Sequence, residues 1–469
     1  MKSFFTEDRI FVLDGAMGTM LQKHGLTGPG QDYNLSSPET VASIHREYVD
    51  AGADIIETNT FSGGYDTSLA GARIARGVAD KAGRKVIVAG SIGPGSKSLS
   101  ICDNYDSPDS RAISFDEMAC AYREQIRGLL DGGVDALLLE TCFDALNAKA
   151  AIYAWDELGR KVPVIVSGTV SDGSGRLLTG QTLEAFYVSV SHCNPVAFGL
   201  NCGLGAEKML PLIQETGRFA ACPVICYPNA GLPDGCGHYT QSPSEMAAMV
   251  RTLAETGLVN ITGGCCGSTP EHIRAIAEAV RGLKPFPKKT VAGSALSGLE
   301  PFALKEGKIE VSRCTNAEFN PEFAGMIRNG DYDGAMCLAA EAVCGGAGIL
   351  DINMDAEGID GAAAMGKFVR YIMLDPSVSK ASLMIDSSDF EVTVEGLRNA
   401  QGRCLAFAPD FSESDFKDKA LKLAALGAAI AVRAVDDESF RKACSILSGT
   451  DIIDSRRIVP FRSAEPPLP

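Results

Sequence analysis

The sequence predicts an α/β protein of two units: a (β/α)8 TIM-type barrel followed by a second, incomplete TIM-barrel-like α/β domain. Three observations carry this. Eight apolar or β-branched runs alternate with helical patterns up to about residue 285. Five or six further strand-like runs follow, and a stretch rich in Pro, Gly and Ser, without periodicity, separates the two series. At 469 residues the chain is also too long for one ordinary core. The expected boundaries are 1–285 for the first barrel, 286–305 for the linker and 306–469 for the second domain.

The eight runs are Ile10–Leu13, Asp54–Asn59, Lys85–Gly90, Ala136–Glu140, Val162–Gly168, Val196–Asn201, Val224–Tyr227 and Leu258–Ile261. Their hydrophobicity is continuous rather than alternating, as parallel strands covered on both faces require. Amphipathic stretches such as Glu39–Ala51, Glu117–Leu130 and Glu245–Glu255 lie between them. Several open with a Ser-x-x-Glu capping box: Ser36 to Glu39, Ser114 to Glu117, Ser242 to Glu245 and Ser268 to Glu271.

In such a barrel, chemistry gathers where the C-terminal ends of the strands meet the βα loops. Those ends read Asp14-Gly15-Ala16, Glu57-Thr58-Asn59, Gly90-Ser91, Glu140-Thr141, Ser167-Gly168, Asn201-Cys202, Pro228-Asn229 and Cys265-Cys266. The last pair lies in Gly263-Gly264-Cys265-Cys266-Gly267, and a glycine-bounded turn can aim both side chains at one point. With Cys202 they form a soft set of three thiolates suited to zinc, leaving a fourth tetrahedral position open. A vicinal disulfide between Cys265 and Cys266 is the alternative, disfavoured by strain and by a reducing compartment. Cys102, Cys120, Cys142, Cys193, Cys222, Cys226, Cys236 and the second-domain cysteines read as small buried apolar residues. Asp14 and Glu140 read as site residues, with helix capping as the alternative. Glu57 is evenly balanced between a loop partner and a site residue.

The net charge of −16 argues against nucleic acid or anionic membrane as a partner. No apolar run approaches a membrane span, and Met1-Lys2-Ser3-Phe4-Phe5 lacks the apolar core of a secretory signal. Fifteen cysteines, an odd number, fit reduced thiols and a cytoplasmic location.

The segments LDGAMGTMLQ (13–22), AGADIIETNTF (51–61), GSIGPG (90–95), LLLETCFD (137–144), GLNCGLG (199–205), CYPNAGLP (226–233) and GGCCGSTPEHI (263–273) carry a resemblance. The chain resembles the homocysteine S-methyltransferase family, most closely the homocysteine-binding module of cobalamin-dependent methionine synthases. The resemblance implies zinc held by Cys202, Cys265 and Cys266, with Asn229 close to the metal. It implies homocysteine as substrate and methionine as product. Asp14 and Glu140 are then expected at the substrate ammonium. The backbone amides of Gly15 and Ala16, with Ser91, are expected at its carboxylate. The chemistry agrees: only a thiolate is a good nucleophile, and a free thiol with a pKa of about 8.5 is little ionised at neutral pH.

The second series comprises Ile309–Ser312, Gly348–Asn353, Leu383–Asp386, Cys404–Ala408, Ala428–Ala434 and Asp451–Val459. Its segments ILDINMD (349–355), MIDSS (384–388) and VEGLRNAQG (394–402) resemble the pterin-binding, methyltetrahydrofolate-using barrel of methionine synthases. That resemblance implies Asn353 and Asp386 as lining a pterin site. The chain departs from the pattern, however. Phe407 stands where the family has a pterin-contacting Asn, the opening motif is weakened to Ser312-Arg313-Cys314-Thr315-Asn316, and strands are missing. The site is therefore expected to be degenerate and not to bind methyltetrahydrofolate. The open sheet edge is expected to be covered by the Pro-rich tail, by the first barrel or by a second copy of the chain in a homo-oligomer. No cobalamin-binding module follows, so the expected donor is methylcobalamin on a separate corrinoid protein. A sulfonium or betaine-type donor, another thiol or selenol acceptor, and a non-catalytic corrinoid-docking module remain alternatives.

Overall fold

The computed structural model describes residues 5, 7–104, 106–235, 237–285, 294–304, 309–407, 414–433, 437–448, 453 and 455–461. The eight expected runs become β1 (Phe11–Val12), β2 (Ile55–Glu57), β3 (Ile87–Ile92), β4 (Ala136–Cys142), β5 (Val164–Gly168), β6 (Ala197–Gly205), β7 (Val224–Asn229) and β8 (Val259–Thr262). All pair in parallel in the order β1-β8-β7-β6-β5-β4-β3-β2. A bridge between Leu13 and Ile55, with the Asp14 N–H donating to the Ile55 carbonyl at 3.0 Å, brings β1 onto β2 and closes the ring.

Alternation along each strand divides the apolar residues in two. Phe11, Leu13, Ile55, Leu138, Ile165, Ile225 and Ile261 fill the barrel's interior. Ile56, Val88, Leu137, Leu139 and Val166 face the helical ring. Every run can therefore be apolar throughout.

Two of the four expected capping boxes form as read. The Ser114 hydroxyl accepts from the Glu117 N–H at 3.3 Å, and that of Ser242 from the Glu245 N–H at 3.4 Å. The other two shift by one residue. Ser37, not Ser36, is the N-cap residue of Pro38–Asp50, though its side chain makes no capping hydrogen bond, and Thr269 with His272, not Ser268 with Glu271, opens Pro270–Val280. Proline explains both shifts. It is pre-shaped for the first helical position and pushes the residue before it out of the helical region, so that residue becomes the cap.

The second unit contains a parallel sheet in the order β11 (Ile349–Ile352), β12 (Ser382–Ile385), β13 (Leu405–Phe407), β14 (Ala429–Arg433) and β15 (Ile458–Phe461). The expected strand Ile309–Ser312 is reduced to isolated bridges from Ser312 to Leu350 and from Asn316 to Asn353. Within the stretch read as linker, β9 (Ser294–Ser297) and β10 (Pro301–Leu304) form an antiparallel hairpin. Each strand is only four residues long, too short for a periodic signal. Leu296 of this hairpin packs with Ile349, Met384, Leu405 and Val459 inside the second sheet. Linker residues 286–293, Cys236 and the tail 462–469 lie outside the described residues. Among those described, no helix is long and apolar enough to cross a membrane.

Of the covers expected for the second domain, the described residues show docking on the first barrel. The Lys149 ammonium, 1% exposed, donates to the carbonyls of Ala400 at 2.8 Å and Gly402 at 3.1 Å. Arg370 donates to the Asp109 carbonyl at 2.8 Å, and Arg403 to the Ser191 hydroxyl at 2.8 Å. Gln401 donates to Thr179, which in turn donates to the Phe143 carbonyl at 3.2 Å, three residues beyond Glu140. Lys149→Met removes two charge-assisted hydrogen bonds and strands two buried carbonyls. It is expected to lower unfolding stability by about 2–4 kcal/mol in chemical denaturation, with unchanged far-UV circular dichroism. A loss below about 0.5 kcal/mol shows that the docking does not depend on it.

Candidate metal and thiol site

The thiol-bearing positions owe their directions to irregular backbone at the strand ends. The register of β6 shifts between Asn201 and Gly205, and Cys202 takes a left-handed conformation with φ of 57°. The register of β4 shifts between Leu139 and Cys142, and Thr141 has φ of 55°. Non-glycine residues rarely adopt this region, at a cost of about 1–3 kcal/mol, and bulges of this kind re-aim side chains next to active sites. Asn201 ties the two irregularities together. Its carbonyl oxygen accepts from the Thr141 N–H at 2.9 Å and the Ser167 hydroxyl at 2.7 Å, and its amide donates to the Thr141 hydroxyl at 2.8 Å.

The turn after β8 completes the set. The Cys265 N–H donates to the Pro228 carbonyl at 2.8 Å, the Ala230 N–H to the Cys266 carbonyl at 2.9 Å, and the Cys266 N–H to Asn229 Oδ1 at 3.1 Å. The Ser268 hydroxyl donates to the Cys265 carbonyl at 2.7 Å and accepts from the Ala16 N–H at 3.2 Å. Gly267, at φ of 81°, lies against Tyr239 so closely that any Cβ would collide with the ring.

Cys202, Cys265 and Cys266 thereby bring their three sulfurs within 4.8 Å of one another, and Sγ of Cys202 and Cys266 are 3.8 Å apart. A disulfide needs about 2.05 Å, so none is formed. A tetrahedral ion with metal–sulfur bonds of about 2.3 Å has ligand sulfurs about 3.8 Å apart. The donor set thus fits a zinc-sized ion in spacing and in chemistry. The Asn201 amide reaches Cys265 Sγ at 3.8 Å, a donor aimed at a sulfur. Hydrogen bonds from Cys265 and Cys266 hold the Cys202 thiol well below its ordinary range. The other two are pushed up by bonding to Cys202, with Cys266 reaching about 11.

Beside the sulfurs stands a second cluster. Asp14, at the end of β1, is 2% exposed, and both its oxygens accept from the Glu57 N–H at 3.1 and 3.2 Å. Glu140, buried at the end of β4, accepts from the Ser91 hydroxyl. Glu57, at the end of β2, joins them. Burial pushes all three carboxyls up and their mutual repulsion adds to it for Asp14 and Glu57, with Glu140 reaching about 7. The Tyr227 phenol lies alongside Glu140 and Ser167.

Cys202, Cys265, Cys266, Asn229, Asp14 and Glu140 therefore fall at one mouth. The Ser91 hydroxyl, expected at the substrate carboxylate, donates here to Glu140. The Ala16 N–H is likewise engaged with Ser268. The remaining expected residues lie apart in the second domain. Asn353 Oδ1 accepts from the Asp355 N–H at 2.7 Å, Asp386 follows the end of β12, and Phe407 ends β13. Sequence reasoning placed Asn201 at a strand end without giving it a role, and it missed Tyr227. Asn201 had a signal, its place next to Cys202 in GLNCGLG; Tyr227, inside an apolar strand, had none.

The buried acids bind protons more tightly in the folded state than in the unfolded one. The stability they lend is full below the ordinary carboxylate range and is lost as pH rises through about 7. The melting temperature of metal-free protein is accordingly expected to fall between about pH 5 and pH 8, and to fall less steeply in Glu140→Gln. Parallel slopes in the two proteins count against the cluster.

Residues 11–280, more than half of the chain, match the sequence model of the homocysteine S-methyltransferases, and residues 314–459 match that of pterin binding enzymes. Crystal structures of the homocysteine methyltransferase MmuM from Escherichia coli are similar. The apo form is 22% identical, with a TM-score of 0.48 over 59% of this chain and 98% of that one. The metallated form is 23% identical, with a TM-score of 0.49 over 58% and 96%. On the extent of the first match, joined to the barrel and its mouth, the chain belongs to the homocysteine S-methyltransferase family.

Proposed function

We propose that the protein transfers a methyl group to the thiol of homocysteine, giving methionine, with zinc held by Cys202, Cys265 and Cys266. The observation that carries this is the 3.8 Å spacing of the Cys202 and Cys266 sulfurs at the mouth of the family's barrel. Zinc bound there supplies the Lewis acidity that ionises a thiol at neutral pH. The protein's own residues do the rest. Asp14 and Glu140 take the substrate ammonium, which neutralises charge that burial makes costly. The Gly15 N–H takes the carboxylate, Ser91 holds Glu140 in place, and Asn229 fixes the Cys266 backbone next to the sulfurs. In the reaction the thiol proton leaves to solvent, the sulfur's electron pair forms the bond to the methyl carbon, and the donor keeps the pair of the bond that breaks.

The proposed donor is methylcobalamin presented by a separate corrinoid protein. Leu35, Phe61, Ile101, Leu178 and Leu232 support a macromolecular donor. They are exposed by 40–66% on segments that follow β1, β2, β3, β5 and β7, Leu35 in a short helix (Tyr33–Ser36) and the others in loops, all on the mouth side. In the second domain, Phe407 offers no amide to a pterin edge, so methyltetrahydrofolate is not expected to be a ligand.

Cys265→Ala is expected to reduce zinc from about one equivalent per chain to near zero and to abolish turnover, with the barrel's circular dichroism retained. Metal analysis alongside a methyl-acceptor assay checks this, and retained turnover defeats the assignment. In the same assay, methylcobalamin on a corrinoid protein is expected to outperform S-methylmethionine and betaine. Titration with methyltetrahydrofolate is expected to show no saturable binding; micromolar affinity overturns the reading of the second domain.

A further inference from the structure

With a thiol bound at the mouth, four sulfurs stand together, those of Cys202, Cys265, Cys266 and the substrate, and any of them could take a methyl. Methylation of a cysteine turns a thiolate ligand into a neutral thioether and spoils the site. The chain therefore needs a means of making its own sulfurs the poorer nucleophiles.

Each cysteine sulfur of the site meets a hydrogen-bond donor of the protein. The Asn201 amide reaches Cys265 Sγ at 3.8 Å. The Gly203 N–H and the Asn229 side chain bond to Cys202. The Tyr239 hydroxyl bonds to Cys266, and since a thiolate has no proton to give, the phenol is the donor. A donor stabilises a thiolate's negative charge, which lowers its basicity and, with it, its nucleophilicity.

Tyr239 is held where this bond needs it. It lies on the loop between β7 and the helix Pro243–Glu255. An isolated bridge pairs it with Pro233, and His272, from the helix that follows the cysteines, donates through Nε2 to the Gln241 carbonyl at 2.9 Å. The Tyr239 ring is seated on Gly267, the residue after Cys266, where a side chain would collide with its Cβ and Cγ. We infer that Tyr239 helps to determine which sulfur is methylated: its hydroxyl damps Cys266, as Asn201 damps Cys265, so that the incoming thiolate is the one that takes the methyl. This rests on the reading of the three cysteines as zinc ligands, and it gives a task to a residue that is not itself a ligand.

The test exposes zinc-loaded wild type and Tyr239→Phe to methyl iodide, a small electrophile that needs no donor site, and maps S-methyl groups by peptide fragmentation, which separates Cys266 from Cys265. In each event the cysteine sulfur's electron pair forms the bond to carbon, and iodide leaves with the pair of the bond that breaks. Exposed Cys120 supplies the reference rate. Phenylalanine keeps the ring on Gly267 and removes only the donor. With one hydrogen bond to a charged sulfur lost, Cys266 is expected to be methylated about threefold to tenfold faster relative to Cys120. Rates at Cys202 and Cys265 are expected to stay within about twofold of wild type, with about one zinc per chain in both proteins. An unchanged rate at Cys266, an equal rise at all three cysteines, or loss of zinc from the variant overturns the role given to Tyr239. Wild-type protein that holds no zinc is a separate result, and it overturns the metal reading itself.

Discussion

Three sulfur atoms held within 4.8 Å of one another are the constraint on which the rest of the first barrel depends. Thiols do not gather this way by hydrophobic burial alone, because each thiolate raises the cost of the next. The chain meets the requirement with backbone rather than with bulk. Cys202 is turned out of its strand by a left-handed residue, and Cys265 and Cys266 are gripped by bonds to Pro228, Ala230 and Asn229. These irregularities cost local stability, which the packed interior beneath them supports. Leu13, Ile55, Ile165, Ile225 and Ile261 form the floor, and their burial fixes the strand ends from which the sulfurs project.

Beside the sulfurs, the same mouth holds three acids, Asp14, Glu57 and Glu140, and among the described residues no base acts on them. The two clusters are chemically unlike. One is suited to a soft cation and the other to an ammonium, and a single small molecule with a thiol at one end and an amine at the other answers both. Asn201 links the thiol cluster to the acids through Thr141, the neighbour of Glu140.

The second domain attaches to the flank of this barrel by buried polar contacts, with Lys149, Arg370, Arg403 and Gln401 crossing the junction. Thr179 joins that junction to the loop after β4, so docking and the position of Glu140 share a chain of contacts. The hairpin β9–β10 gives the short sheet an apolar filling that five strands cannot supply by themselves. An incomplete barrel is thus stabilised by an inserted hairpin and by its neighbour.

Local patterns were enough to determine the sequence of elements and the residue types at the mouth. Continuous apolar runs marked the strands, and glycine-bounded cysteines marked a turn, because both signals reside in neighbouring residues. Proline already fixed two helix starts that the Ser-x-x-Glu pattern misplaced by one residue, so that error lay in the reading rather than in the chain. Tertiary structure alone decided the rest. Ser91 spends its proton on Glu140, Asn201 binds Thr141 sixty positions away, Tyr227 turns inward, and Ser294–Leu304 pairs into a hairpin instead of remaining a linker. At the mouth, partners distant in the chain are brought within about 3 Å by the closing of the barrel, and the hairpin is held by its packing against the second sheet.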